Sequence, residues 1–167
     1  MQNVFKQVAL CLCILTWLQA WKAHAQDNQL KFDKIEFADE FTKEELEMLK
    51  LTNKKRVKKG LKPLTMNKDL TEVARAQSND MALHHHLSHT VNGKHLGFRI
   101  KQSGYNYRAI GENIAMSRGS FKHVMKMWMK SPTHRKNILS AHYEEVGVGI
   151  TKTKKGERYF TQVFGVQ

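Results

Sequence analysis

The sequence predicts an α+β protein in which helices pack on an antiparallel sheet. Helical periodicity with capping signals fills residues 42–83 and 120–139, and apolar/polar alternation broken by one turn fills residues 146–164. Helices gathered first and a hairpin last are the pattern of layered α+β packing rather than of alternating βαβ units.

Thr42 and Glu45 form a capping box, which satisfies free N–H groups at a helix start. Leu46, Leu49, Asn53 and Val57 then fall on one helical stripe, Gly60 is placed to close the helix in a left-handed conformation, and Pro63 prevents its resumption. Asn67 opens a second helix as N-cap. Within it Leu70, Ala74, Ser78, Met81 and Ala82 recur at helical spacing, and Ala74, Ser78 and Ala82 make a small-residue stripe that admits another backbone; the helix runs out in His84-His85-His86. Residues 87–108 read as loop, with a helical turn from Leu96 to Ser103 stopped by Gly104. Ala109 to Met116 reads as a strand interrupted at Gly111-Glu112-Asn113. Ser120 caps a helix over Phe121–Met129 whose apolar face is Val124, Met125 and Trp128. Pro132 takes the first position of a short helix ending near Leu139, where its missing N–H costs little. Two strands follow, around Val146–Ile150 and Tyr159–Phe164, joined at Lys154-Lys155-Gly156.

The N-terminus has a different character. One lysine, Lys6, precedes an apolar run of about 14 residues from Val8, which ends in Ala23-His24-Ala25. That is the layout of a cleavable signal peptide over residues 1–25, and the run is short of the roughly 20 residues that span a bilayer. The expectation is a secreted or periplasmic protein, not transmembrane after cleavage, with a polar leader at 26–41 and one domain at 42–167, read as a monomer. Both cysteines, Cys11 and Cys13, lie in the signal segment, so the remainder holds no disulfide and must rest on its core. Removing residues 1–25 takes away Lys6 and Lys22 and no acid; 28 basic residues become 26 against 15 acidic, and the formal charge goes from +13 to +11. Such a balance favours anionic partners in general. The basic runs are poorly interleaved with aromatics, so no specific nucleic-acid partner is expected.

A series of motifs then runs in order through the chain: Asn53-Lys54-Lys55-Arg56, Gly60-Leu61-Lys62-Pro63-Leu64, Leu70-x-x-x-Ala74-Arg75-x-x-Ser78-x-x-Met81-Ala82, Leu87-Ser88-His89, Gly104-Tyr105, Gly111-Glu112-Asn113-Ile114-Ala115, Trp128-Met129-x-Ser131-Pro132-Thr133-His134-Arg135-x-Asn137-Ile138-Leu139, Gly147-Val148-Gly149 and Tyr159-Phe160-Thr161-Gln162-Val163-Phe164-Gly165. Together they resemble the CAP superfamily of SCP-like domains, which includes cysteine-rich secretory proteins, venom antigens and plant pathogenesis-related proteins, and within it the short cysteine-free bacterial branch. The resemblance covers about residues 46–167. It implies an α-β-α sandwich with a central antiparallel sheet and an open cleft. In eukaryotic members that cleft carries two histidines and two acids. His89 and Glu112 match the first of each; Ser131 stands where the second acid would be and Tyr159 where the second histidine would be, while the bacterial pattern offers His134. The candidate cleft residues are therefore His89, Glu112, His134, Asn113 and Tyr159.

A carboxylate at Glu112 can accept a ring N–H from His89, fix its tautomer and leave the other nitrogen to act as a base or to bind zinc. His89 and His134 are the candidate metal ligands; the reading requires no cofactor. The run His84–His86 resembles a metal site, but adjacent helical residues point about 100° apart and cannot share one ion. There is no cysteine nucleophile after residue 25, no Gly-x-Ser-x-Gly elbow, no paired-carboxylate motif and no phosphate-cradling loop. The resemblance points to a module that binds a small amphiphile, lipid or cell-envelope component. A metal-assisted hydrolase using His89 and His134 is the alternative, and charge-driven binding to anionic polymers a third.

Overall fold

The computed structural model describes residues 40–167, together with Gln19; the rest of the expected signal segment and nearly all of the expected leader lie outside the described residues. Residues 42–167 form one compact unit. Its elements are α1 (Lys43–Val57), β1 (Thr65–Met66), α2 (Lys68–Leu83), α3 (Leu96–Ser103), β2 (Ala109–Ser117), α4 (Phe121–Lys130), α5 (Pro132–Ile138), β3 (Glu145–Lys152) and β4 (Arg158–Val166). The strands lie in the order β1-β3-β4-β2. The three long strands pair antiparallel, and the two-residue β1 adds a parallel edge to β3.

Strand β4 is central, and every residue from Tyr159 to Val166 is buried, because helices cover both sheet faces. On one face Phe160, Phe164, Val146, Val148 and Ala115 meet Met48 of α1, Val124, Met125 and Trp128 of α4, and Ile138 of α5. On the other, Val163 meets Leu70, Val73 and Ala74 of α2 and Ile100 of α3, while Ile114 and Tyr159 meet Met81 and Ala82. This is the α-β-α sandwich.

The small-residue stripe of α2 lies against β3. An added Cβ on Gly147 would sit 2.0 Å from the Leu70 carbonyl carbon, one on Gly149 would sit 2.2 Å from that of Ala74, and Thr151 donates its hydroxyl to Ser78 Oγ at 3.2 Å. Four helical residues advance about 6 Å and two strand residues about 6.8 Å. Positions 70, 74 and 78 therefore stay in step with 147, 149 and 151, and helix and strand touch backbone to backbone.

The capping box at Thr42 and Glu45 forms as expected, and Asn67, Ser120 and the left-handed Gly60 and Gly104 take their expected places. Two expectations need correction. The buried face of α1 is Glu45, Met48, Thr52 and Arg56, one residue round from the stripe Leu46, Leu49, Asn53 and Val57, and Val57 is exposed. The three polar members of the buried face are there because each is paired. Glu45 receives two 2.7 Å bonds from Arg75, Thr52 Oγ1 donates to Met48 O and accepts from Gln162, and the Arg56 guanidinium donates to four backbone carbonyls. The second correction is that β2 runs unbroken through Gly111-Glu112-Asn113, which pair with Phe164, Val163 and Gln162. An added Cβ on Gly111 would lie 2.5 Å from the Tyr143 hydroxyl, so this glycine gives room to a neighbour rather than turning the chain.

Candidate functional site

Strand β2 is a sheet edge, and the three residues of its Gly-Glu-Asn triplet work on alternate faces. Glu112 points to the α2/α3 side, and Gly111 and Asn113 to the α1/α4/α5 side. A group on either face that reaches past β2 can thus meet one from the other.

On the first face, Glu112 is buried with both oxygens used. Oε1 lies 2.8 Å from His89 Nδ1, and Oε2 accepts from Arg99 Nη2 at 2.8 Å. A carboxylate paired with arginine accepts from histidine, so Nδ1 carries a proton and Nε2 is the ring nitrogen left for other partners. The His89 side chain is 57% exposed against 3% for Glu112, so the ring has one end anchored in the wall and the other in solvent. Its loop is held from beneath. Gln77, fully buried on α2, donates to Ser88 O at 2.6 Å, Arg99 Nη2 reaches His89 O at 3.3 Å, and Val91 is buried beside Met81, Ile114 and Tyr159. Buried Gln77 Oε1, Arg99 Nε and Arg99 Nη1 have no hydrogen-bond partner among the described residues.

On the second face, Asn113 Nδ2 donates to His134 O at 3.2 Å, and Asn137 Nδ2 donates to Glu112 O at 3.1 Å and to Asn113 Oδ1 at 2.9 Å. The two asparagines pin the first turns of α5 to the edge of β2. They thereby fix His134, which is half-buried. Burial pushes the His134 imidazole below its ordinary pKa, and the neighbouring His89 pushes it further. That second push places the two imidazoles within electrostatic range of each other beside β2, whose adjacent residues Glu112 and Asn113 hold one by its ring and the other by its backbone. Glu112 and Asn113, adjacent on β2, thus tie the two candidate histidines to neighbouring positions of one strand.

Tyr159 does not join them. It is 3% exposed, under the 84–95 loop, with Met81, Ala82, Val91 and Ile114. Tyr159 sits on the sheet face beneath α2, so its ring fills the core instead of lining the cleft; burial there, with Glu157 nearby, raises its hydroxyl pKa. The residues that sequence reasoning missed are Arg99 and Gln77. The signal for Gln77 was its place on the apolar side of α2 beside Ala74 and Met81. For Arg99, one of several polar residues in the short Leu96–Ser103 turn, the sequence carries no such signal.

Among the described residues no group of three His, Cys, Asp or Glu side chains could hold a metal ion. A metal here would rest on His89 and His134 alone, since Glu112 is engaged twice, whereas protein zinc sites ordinarily supply three or four ligands.

The lowered pKa of His134 has a consequence for stability. The folded state disfavours the protonated ring, so stability is unaffected well above pH 6.5 and falls as the pH drops from there towards the lower folded value. Urea denaturation of the wild type between pH 7.5 and 5 is expected to show that acid-side loss, and His134→Gln is expected to flatten it.

The sequence and structure have close counterparts. YkwD of Bacillus subtilis is 38% identical over 110 residues, covering 65% of this chain and 43% of that protein. A crystal structure of an extracellular protein containing a SCP domain from Bacillus anthracis superposes with a TM-score of 0.69 at 27% identity, over 74% of this chain and 40% of that one. An outer surface protein of Borrelia burgdorferi superposes with a TM-score of 0.69 at 22% identity, over 76% of this chain and 96% of that one, which speaks for a common fold. The chain thus spans less than half the length of the two Bacillus proteins. The model of the CAP family, described as the cysteine-rich secretory protein family, matches residues 49–164. Since that match runs from α1 into β4 and takes in both histidines at the edge of β2, the chain belongs to the CAP family.

Proposed function

We propose that this chain is an exported binding module which holds a small amphiphilic or cell-envelope ligand at the His89–His134 face and does not turn it over. The observation that carries this reading is the half-exposed His89 ring, held at Nδ1 by buried Glu112, with a second imidazole nearby whose pKa burial lowers. Two imidazoles offer hydrogen-bonding nitrogens at fixed positions without a nucleophile between them. Apolar side chains lie close by in the chain. Leu87 is two residues before His89, Phe98 precedes Arg99 on α3, and Met116 shares the face of β2 that bears Glu112; all three are exposed. A polar pair beside apolar side chains suits a ligand with a polar head and an apolar body. Export is supported by the layout of residues 1–25 and by the extracellular description of the Bacillus anthracis relative.

The test is a titration of residues 26–167 with a fluorescent fatty-acid probe and with soluble fragments of cell-wall glycopeptide. His89→Ala and Glu112→Gln are expected to weaken binding of the accepted probe about tenfold or more, with the probe recovered chemically unchanged. Hydrolysis of either probe by clean protein, lost in His89→Ala, would replace this reading with the hydrolase.

A further inference from the structure

The run His84-His85-His86 is unused by the cleft, and the structure gives it another setting. Helix α2 ends at Leu83 in a Schellman turn: His86 N–H bonds Met81 O at 3.0 Å and His85 N–H bonds Ala82 O at 3.4 Å. The left-handed position of that turn ordinarily belongs to glycine, yet here it is His85, with φ of +50°. A non-glycine residue at this position carries a backbone cost that glycine would not. The position is in the wall of a surface hollow of about 420 Å³ formed by Asn79, Leu83, His85, Lys152, Lys154 and Lys155, between the end of α2 and the β3–β4 turn. Three exposed lysines are among the residues that line it. The acid beside His85, Glu157 at 3.8 Å from Nδ1, is also held by Arg118 at 3.1 Å, so it offsets the lysines little. Leu83, 70% exposed, gives the hollow an apolar patch next to the charge.

We propose that this hollow binds a phosphate group of a phosphodiester-linked anionic polymer, with Lys152, Lys154, Lys155 and His85 on the phosphate and Leu83 against the polymer's carbon skeleton. The hollow is open and concave, and its basic residues lie along one wall of the β3–β4 turn beside the end of α2. That shape suits a chain whose phosphates enter one at a time better than a flat bilayer, which would meet the lysines only at the rim. This inference is independent of the cleft at His89.

The experiment measures binding of residues 26–167 to poly(glycerol phosphate), with neutral dextran and phosphatidylglycerol vesicles as parallel arms. Lys154→Gln/Lys155→Gln is expected to weaken polymer binding about tenfold and to reduce its dependence on salt concentration. Lys58→Gln/Lys59→Gln, which removes the same charge from exposed residues after α1, is expected to change it less than about twofold. His85→Gly is expected to weaken binding while the melting temperature stays level or rises, which separates the ring's role from the fold's. Equal losses in the two lysine doubles would overturn the proposal, because binding would then follow net charge. Binding to the vesicles and not to the polymer would overturn it in favour of a membrane surface.

Discussion

Gly147→Ala is expected to destabilise the fold by about 3 kcal/mol or more, measured as the loss in urea-unfolding free energy. The new methyl carbon would fall 2.0 Å from the Leu70 carbonyl carbon, 2.1 Å from its oxygen and 2.2 Å from Thr71 N. All three atoms are backbone, and they lie in a helix already bonded along its length, so no rotamer change relieves the clash. The helix must lift from the sheet. Lifting it opens the layer in which Leu70, Ala74 and Val163 are buried, and because dispersion falls off steeply with separation, a shift of even 1 Å weakens many contacts at once. Gly149→Ala meets the Ala74 backbone at 2.2 Å in the same way and should cost a similar amount. The two effects should add to less than their sum, since one displacement of α2 serves both.

Arg56→Ala is expected to cost about 4 kcal/mol, and Arg56→Lys about 2 kcal/mol, by the same measurement. Arg56 is 1% exposed, and its guanidinium donates to Lys62 O at 2.9 Å, Ile138 O at 2.9 Å, Ser140 O at 2.7 Å and Tyr143 O at 3.2 Å. It thus joins the end of α1 to the end of α5 and to the segment that leads into β3. Burial lowers its pKa, but arginine has range enough to stay charged. Alanine would leave four carbonyls facing a cavity. Lysine keeps the charge, but its single compact ammonium cannot present the planar fork that reaches carbonyls on two sides. The cleft should loosen as well, because α5 carries His134 and Asn137.

These two residues show what the sequence made legible and what it did not. Each helix was visible because a cap, a stripe and a stop agreed locally: Thr42 with Glu45, Asn67 with Leu70, Ser120 with Trp128. The rotation of α1 was not, because a stripe drawn through leucines assumes that apolar side chains face inward, and here Glu45, Thr52 and Arg56 take the inner face through bonds to residues up to 110 positions away. Likewise Gly111 reads locally as a strand breaker, and only the approach of Tyr143 explains it. His89, Glu112 and His134 were found through the resemblance; their pairing across the edge of β2 depends on alternation along one strand. Arg99 was lost for the opposite reason, since nothing near it in sequence marks an arginine that faces inward to meet a carboxylate 13 residues on.

Binding at this face requires His89 and His134 to share one site, and imidazole nitrogen NMR measures that directly. In the wild type the His134 ring should titrate below pH 6.5 and His89 should carry its proton on Nδ1. In His89→Gln, which removes the neighbouring positive charge, the His134 midpoint should rise yet stay below 6.5, because burial is the larger of its two causes. A His134 midpoint that does not move when His89 is replaced, or a His89 ring protonated on Nε2 alone, would contradict the site described.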